Sequence, residues 1–238
     1  MFFLIFFVLL CCSVAGGSEY DRLKALEAEG IQNADLYYNL GVTYWQTGQS
    51  GMANLYFLKA LNINSAHKPA KENLNYVIAL SEDRDLYPEQ LFLVRVFFEV
   101  YDFLNLNRMA ILTLVLLILS AISLSWLLHY DPHKERGLPS LVFGICLVLF
   151  LTSAVFLGVK SYRQAFNSKA VVLAPEAELR AEPEAQAKRV ALVHEALILV
   201  VEKAEAEWSL VRTPDGKSGW IPNQKIGKVL DKNPSGKA

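Results

Sequence analysis

The sequence predicts a multidomain membrane protein that combines an α-helical repeat segment, a two-helix transmembrane hairpin and a small all-β barrel. Three observations support this fold class. A stretch near the N-terminus has the residue spacing of a two-helix repeat, two later runs are apolar over the length of a bilayer, and the final segment alternates apolar with polar residues. With 238 residues, the chain has room for one or two small domains and their linkers.

The amino-acid composition limits the classes of function. The formal net charge is -1 at pH 7 and no basic patch interrupts the sequence, which argues against nucleic acid as a partner. Cys11, Cys12 and Cys146 all lie in apolar runs. Neither soluble segment therefore contains a cysteine, which excludes disulfides and cysteine-ligated metals from both.

Residues 1–15 have the features of a secretory signal peptide. The apolar run from Phe2 to Cys12 is too short to span a bilayer comfortably, and small residues follow it to a cleavage site after Ala15. No Lys or Arg precedes the run, so an uncleaved anchor remains an alternative. A lipoprotein signal is disfavoured because Leu10 stands where a small residue should precede Cys11.

Residues 16–86 are predicted to form a helical domain around one repeat of two antiparallel helices, which cross where Gly41 and Ala53 are small. The repeat pattern comprises Tyr37, Leu40, Gly41, Tyr44, Ala53, Phe57 and Ala60, with Ser65 in place of a closing proline. The segment resembles a tetratricopeptide repeat. Because one repeat cannot bury its own apolar faces, we expect flanking helices over residues 19–29 and 69–80 to pack on either side.

Residues 87–107 are predicted to form an amphipathic helix. Arg95, Glu99 and Asp102 follow one another at helical spacing and would form one narrow charged stripe on a helix that Pro88 can start. Such a helix would lie either at the membrane surface or under the repeat domain.

Residues 108–129 and 138–160 are predicted to be transmembrane helices, each containing an uncharged run that crosses the roughly 30 Å hydrocarbon core. A short polar turn joins them into a helical hairpin. Small residues on one side of each helix are expected to form the contact, namely Ala110, Ala121, Ser125, Ser140, Gly144, Ala154 and Gly158.

Residues 168–230 are predicted to form a small β-barrel, and residues 231–238 a disordered tail. Asp215-Gly216 supplies residues that accept positive φ in a tight hairpin turn, and Trp208 and Trp220 on the flanking strands are placed to close the barrel. The segment resembles a bacterial SH3 domain (SH3b), which implies binding of peptides or cell wall rather than catalysis. The matching residues are Leu179-Arg180 with Pro183, Val193 to Ala196, Trp208 and Gly219-Trp220-Ile221.

The order of signal, tetratricopeptide repeat, two spans and SH3b domain resembles the BatE family of membrane-bound repeat proteins. These are encoded with von Willebrand-type Bat proteins and a MoxR-type ATPase in aerotolerance clusters. The resemblance covers nearly the whole chain. It implies a non-enzymatic scaffold in the bacterial inner membrane, with other Bat-type membrane proteins as partners and both soluble segments on the periplasmic, extracytoplasmic side.

The positive charges near the spans do not favour that orientation. The turn expected in the cytoplasm carries Lys134 and Arg136, whereas the flanks expected outside carry Arg95, Arg108, Lys160 and Arg163. We nevertheless expect both soluble segments outside, because the signal acts first and two spans return the chain to the same side.

No catalytic residue, metal site or cofactor is predicted. His129, Asp131 and His133 are close in sequence, but Pro132 disrupts helical spacing and no fourth ligand is near. The sequence contains no phosphate loop, nucleophile elbow or zinc-protease motif.

Partner binding is expected on the inner face of the first repeat helix. The residues that the tetratricopeptide resemblance places there are Asp35, Tyr38, Val42, Trp45 and Gln46. Tyr38 and Trp45 lie two helical turns apart on one stripe, so they either anchor a partner or pack against the flanking helices. The expected ligand is an apolar or helical segment of a membrane partner. An alternative function is anchoring to peptidoglycan peptide stems through the SH3b domain.

Overall fold

A computed structural model describes residues 19–88, 91–93, 101, 103–130, 137–166 and 168–230. The predicted signal peptide at residues 1–15 and the predicted disordered tail at 231–238 lie outside the described residues. So do Asp131 and His133 and the predicted charged stripe of Arg95, Glu99 and Asp102. The described residues before position 92 and after position 166 form one compact unit, and those between them form a second.

The N-terminal part of the first unit, residues 19–88, is helical, and we call it the helical module. Its described elements are α1 (residues 19–28), α2 (Ala34–Gln46), α3 (Ser50–Ile63), α4 (Lys68–Leu80) and a 3-10 helix (Glu82–Leu86).

Local sequence signals start two of these helices. The Asn33 side chain accepts a hydrogen bond of 2.8 Å from the backbone N–H of Asp35 at the start of α2. At the start of α4, His67 Nδ1 accepts from the backbone N–H of Ala70 at 3.1 Å. In contrast, α3 has no capping side chain of its own at Gln49.

The close crossing of α2 and α3 depends on Gly41. A Cβ atom at this position would lie 2.6 Å from the Phe57 ring and 3.3 Å from the carbonyl oxygen of Ala53. Leu40, Ala53 and Phe57 are buried around it. The predicted crossing at Gly41 and Ala53 is confirmed.

Both flanking helices cover the repeat. On one side, Tyr20 of α1 packs edge-on against Tyr44 with ring centroids 5.8 Å apart. On the other side, Leu74 and Val77 of α4 are buried in the same core. The additional helices therefore bury apolar surface that a lone repeat would leave exposed.

The second unit contains α5 (Leu106–His129) and α6 (Gly137–Ala165), both long and apolar enough to cross a membrane. They pack against each other through buried hydroxyl residues. The Thr113 and Ser153 hydroxyls form a hydrogen bond of 2.7 Å, and Ser120 and Ser123 are also buried.

The predicted small-residue contact between these helices is wrong at most of its positions. Ala110, Ala121, Ser125 and Ser140 are exposed, and a Cβ atom at Gly144 or Gly158 would meet no atom within 4 Å, whereas Ala154, next to Ser153, is partly buried. Small size permits close approach at any position of a helix. A hydroxyl, however, can bond across to another helix only from the contact face, so it is a more specific marker of that face.

Residues 168–230 form the C-terminal part of the first unit, which we call the β module. Among the described residues, its strands form one antiparallel sheet in the order β3-β2-β6-β5-β4-β1-β7. The strands are β1 (Lys169–Val172), β2 (Glu176–Arg180), β3 (Arg189–His194), β4 (Ile198–Ala204), β5 (Trp208–Arg212), β6 (Ser218–Pro222) and β7 (Ile226–Lys228).

The sheet curls around a single apolar core. Every one of these strands contributes a buried residue to it, from Ala170 of β1 and Val193 of β3 to Ile226 of β7. A flat sheet could not bring the two edge strands and the central strands to one core. The predicted fold class of helical repeat, long apolar helix pair and small antiparallel β domain is confirmed.

Two details of the β5–β6 hairpin differ from the prediction. Trp208 and Trp220 are only partly buried, whereas Ser209, Val211 and Ile221 are fully buried, so the tryptophans lie on the outer face. The interior has no space for large side chains here, because a Cβ atom at Gly219 would lie 2.8 Å from Leu179 Cβ.

The hairpin turn also uses one positive φ rather than two. Only Gly216 of the Asp215-Gly216 pair has a positive φ, at 90°. Asp215 instead accepts a hydrogen bond from the Thr213 hydroxyl and pairs with Lys217 at 2.8 Å.

Candidate functional site

The predicted partner-binding residues lie along the side of α2 that faces α4. Tyr38, Val42 and Trp45 are partly buried against the helical core, while Asp35 and Gln46 are exposed.

Several of these residues contact the α4 segment directly. The Trp45 ring packs edge-on against Tyr76, with centroids 5.8 Å apart. The Tyr38 hydroxyl lies 3.4 Å from the Asn73 amide nitrogen, and Asp35 Oδ1 lies 3.0 Å from His67 Nε2. Tyr38 and Trp45 therefore pack partly against α4, and part of the surface of these two side chains remains accessible.

Two exposed residues on α4 extend this surface. Tyr76 is 58% exposed and Leu80 is 59% exposed, and the two lie one helical turn apart. Neither residue is among the predicted binding residues, although the repeat period locates both. Tyr76 and Leu80 follow Val42 and Gln46 by the length of the repeat, so they occupy the same positions on the next first helix. We call Trp45, Tyr76 and Leu80, with the neighbouring Tyr38 and Val42, the groove.

A second contact surface joins the helical module to the β module. The turn between β3 and β4, residues 195–197, is held with its flanking residues His194 and Ile198 by hydrogen bonds to the helical module. Asn54 Nδ2 donates to the carbonyl oxygen of Ala196 at 2.9 Å, and both residues are buried. The backbone N–H of Ile198 donates to the Tyr87 hydroxyl at 3.0 Å. Ala196, in this turn, has a positive φ of 71°.

Glu195 in this turn supplies the cap that α3 lacks. Its Oε1 accepts a hydrogen bond of 2.7 Å from the backbone N–H of Gly51, in the first turn of α3. A carboxylate at this end of a helix satisfies a free N–H and interacts favourably with the helix dipole. The start of α3 is thus stabilised by a residue from the other module.

Apolar packing surrounds these polar contacts. A Cβ atom at Gly51 would lie 2.5 Å from the carbonyl oxygen of Val172, and one at Gly227 would lie 2.5 Å from Leu55 Cδ2. Val171, Ala196 and Val229 of the β module are buried in the same cluster as the helical core. The helical and β modules therefore share a core.

Tyr87 closes the other side of this interface. It packs with Leu86 against the core of the β module. Burial raises the pKa of Tyr87 to about 12, and its hydroxyl accepts from the backbone N–H of Ile198.

The outer face of the β module carries a third surface. Trp208 pairs with Pro222 across the β5–β6 hairpin, and Leu210 pairs with Trp220. The Lys203 ammonium lies 5.8 Å from the centroid of the Trp220 ring. This face therefore presents aromatic side chains beside a cation. Within the described part of the chain, no group of three or more His, Cys, Asp or Glu is placed to hold a metal ion.

Comparison with known protein families identifies two modules. Residues 34–67 match the family model for the tetratricopeptide repeat. Residues 174–227 match the model for the bacterial SH3 domain. No curated protein matches the chain. The repeat match covers α2 and α3, and the SH3 match covers the β module from before β2 into β7. Both families are typically interaction modules rather than enzymes.

Proposed function

We propose that this protein is a non-enzymatic, membrane-anchored scaffold that collects protein partners in the bacterial cell envelope. The observation that carries the proposal is the groove, where Trp45, Tyr76 and Leu80 present aromatic and apolar surface beside one another on a tetratricopeptide repeat. Clustered aromatic residues at the surface are typical binding anchors. Asp35 and Gln46 would border the ligand, which we expect to be an apolar or helical segment.

A finer role follows from the module order. The succession of a tetratricopeptide repeat, two apolar helices and an SH3 domain supports the interpretation that this is a BatE-like protein of the bacterial inner membrane. Its partners would then be other Bat-type membrane proteins. In this role, the signal peptide would export the helical module, and both soluble modules would lie on the periplasmic side.

Partner capture tests the role of the groove. Full-length tagged protein is purified from solubilised membranes, and co-purifying proteins are quantified for the wild type, Tyr76→Ala and Trp45→Ala. We expect both substitutions to reduce capture of the same membrane proteins severalfold. Tyr76 is the more direct probe, because its exposed side chain contributes less to the core than the half-buried Trp45.

The control for this capture experiment is Asn39→Ala, at an exposed position of α2 outside the groove. It should leave capture unchanged. Undiminished capture by a folded Tyr76→Ala, Trp45→Ala double variant would contradict the groove as the binding site.

Binding to peptidoglycan is the second candidate, favoured by the outward position of Trp208 and Trp220. The same purified variants are incubated with isolated peptidoglycan, together with Trp220→Ala. Loss of sedimentation with Trp220→Ala alone would favour wall anchoring through the SH3 domain. Loss of protein capture with Tyr76→Ala alone would favour the scaffold.

A further inference from the structure

His194 is the last residue of β3, directly before the turn to β4, and its imidazole lies between two carboxylates of the 3-10 helix. His194 Nδ1 lies 2.9 Å from Asp83 Oδ1, and His194 Nε2 lies 3.3 Å from Glu82 Oε1. The backbone N–H of His194 also donates to Asp83 Oδ2 at 2.6 Å. Asp83 therefore binds both the main chain and the ring of His194, and it is 8% exposed.

This geometry distinguishes the two protonation states of the ring. A neutral imidazole has one N–H donor, whereas the imidazolium has one on each nitrogen. Ionised carboxylates only accept hydrogen bonds, and both ring nitrogens of His194 face one. Only the protonated ring can therefore satisfy Asp83 and Glu82 together.

Two further carboxylates lie near His194. Glu176 of β2 stands opposite His194 in the strand register. Glu195, next along the chain, accepts from the backbone of Gly51. Two cations lie on neighbouring elements as well. Arg84 of the 3-10 helix is 3.6 Å from Asp85, and the Lys225 ammonium donates to the backbone oxygen of Glu176 at 3.2 Å. A positive charge on His194 is thus favoured by the helical module and by the β module alike.

We propose that His194, Asp83 and Glu82 form a proton-controlled latch, in which protonation of His194 strengthens docking of the β module on the helical module. The latch adjoins the other contacts of the turn, since Glu195 caps α3 and Tyr87 accepts from Ile198. Opening it would expose the apolar interface around Leu55 and Val171 and release the groove and the SH3 outer face from a fixed arrangement.

The direction of the effect follows from linkage. The hydrogen bond to Asp83 raises the pKa of His194 above its ordinary value, and the charges of Asp83, Glu82 and Glu176 act in the same direction. A group whose pKa is raised by docking contributes stability that is fully present below its undocked pKa. That contribution is lost as the pH rises through the docked pKa, so docking weakens from weakly acidic to alkaline pH.

Hydrogen exchange of the full-length protein in detergent tests the latch. The backbone amides of Gly51 and Ile198 report on docking, because each donates its hydrogen bond across the interface. Exchange is followed by mass spectrometry from about pH 5.5 to about pH 8.5, on either side of ordinary histidine titration, and corrected for the intrinsic rate. We expect protection of both amides to fall severalfold as the pH rises. In His194→Gln, protection should be lower at acidic pH and no longer vary across this range.

Two further variants keep the test decisive if His194→Gln does not fold. Asp83→Asn retains an oxygen for the His194 backbone but removes the charge, so it should weaken the pH dependence and move the transition to lower pH, since Glu82 and Glu176 remain. Glu82→Gln alters a side chain that is 73% exposed and should move the transition to lower pH. His129→Gln, on the membrane hairpin, is the matched control and should behave as the wild type. Protection that does not vary with pH in the wild type, or the same pH dependence in Asp83→Asn, would overturn the latch.

Discussion

At the scale of single residues, Gly41 shows how little space separates α2 from α3. We expect Gly41→Leu to destabilise the protein by roughly 1–3 kcal/mol, because the new side chain must displace the Phe57 ring. Chemical denaturation of the full-length protein in detergent, followed by circular dichroism, measures the change.

Asn39→Leu is the matched control for this substitution. It introduces the same side chain into the same helix at an exposed position. Its effect on the free energy of unfolding should stay within about 0.5 kcal/mol. Equal destabilisation by both substitutions would mean that leucine in α2, rather than the crossing, is responsible.

Residue patterns in the sequence predicted some contacts of this kind and not others. Gly41 was located because the repeat pattern has a small residue at the crossing. The prediction that Trp208 and Trp220 close the barrel is wrong, because alternation defines two faces of a strand without saying which one is inside. Which face is inside is decided by the lack of space between Gly219 and Leu179, and Leu179 belongs to another strand, β2.

At the scale of elements, α3 depends on a cap that its own sequence lacks. We expect Glu195→Ala to lower the free energy of unfolding of the helical module by about 0.5–2 kcal/mol, the usual effect of removing a helix cap. The reason is that the N–H of Gly51 loses its partner at the start of α3. The change is measured by hydrogen exchange of the first turn of α3 together with denaturation.

The control for this helix cap is Glu184→Ala, which removes a carboxylate from an exposed loop of the β module, the module that also contains Glu195. It should leave exchange at the start of α3 unchanged. Normal protection of Gly51 in Glu195→Ala would show that the cap contributes nothing to α3.

The elements themselves were largely predictable, while their long-range contacts were not. Repeat spacing predicted α2 and α3, and apolar length predicted α5 and α6. No local pattern could pair Glu195 with Gly51 or His194 with Asp83, because these residues are far apart in sequence and meet only when the modules dock. The exposed Tyr76 lies between these cases, since the repeat period places it in the groove once α4 is treated as a further first helix.

At the scale of the whole molecule, the apolar hairpin interrupts a unit built from both of its flanks. Asn54 lies before the hairpin in the sequence and Ala196 after it, yet they are hydrogen bonded in a shared core. Such contacts can form only if the two flanks are in the same compartment. Two membrane crossings satisfy that condition, and one crossing does not.

The charge distribution around the hairpin is a weaker guide to its orientation. Lys160, one of the positive residues on the flank expected outside, is buried and donates to the backbone oxygens of Tyr101 and Leu104. Because Lys160 makes this structural contact, its positive charge is weaker evidence for the orientation of the hairpin in the membrane. We therefore give more weight to the signal peptide predicted at residues 1–15.

Labelling of single cysteines in the full-length chain tests this topology. In a variant lacking Cys11, Cys12 and Cys146, one cysteine is introduced at Glu72, Lys134 or Glu184, and intact cells with a permeabilised outer membrane are treated with a membrane-impermeant thiol reagent. We expect Glu72→Cys and Glu184→Cys to react without lysis, because both helical and β modules are proposed to be periplasmic. Lys134→Cys should react only after lysis. Reaction at Lys134→Cys alone would keep the two modules on one side but place them in the cytoplasm. Reaction at only one of Glu72→Cys and Glu184→Cys would separate the flanks and contradict the shared core in the membrane-bound protein.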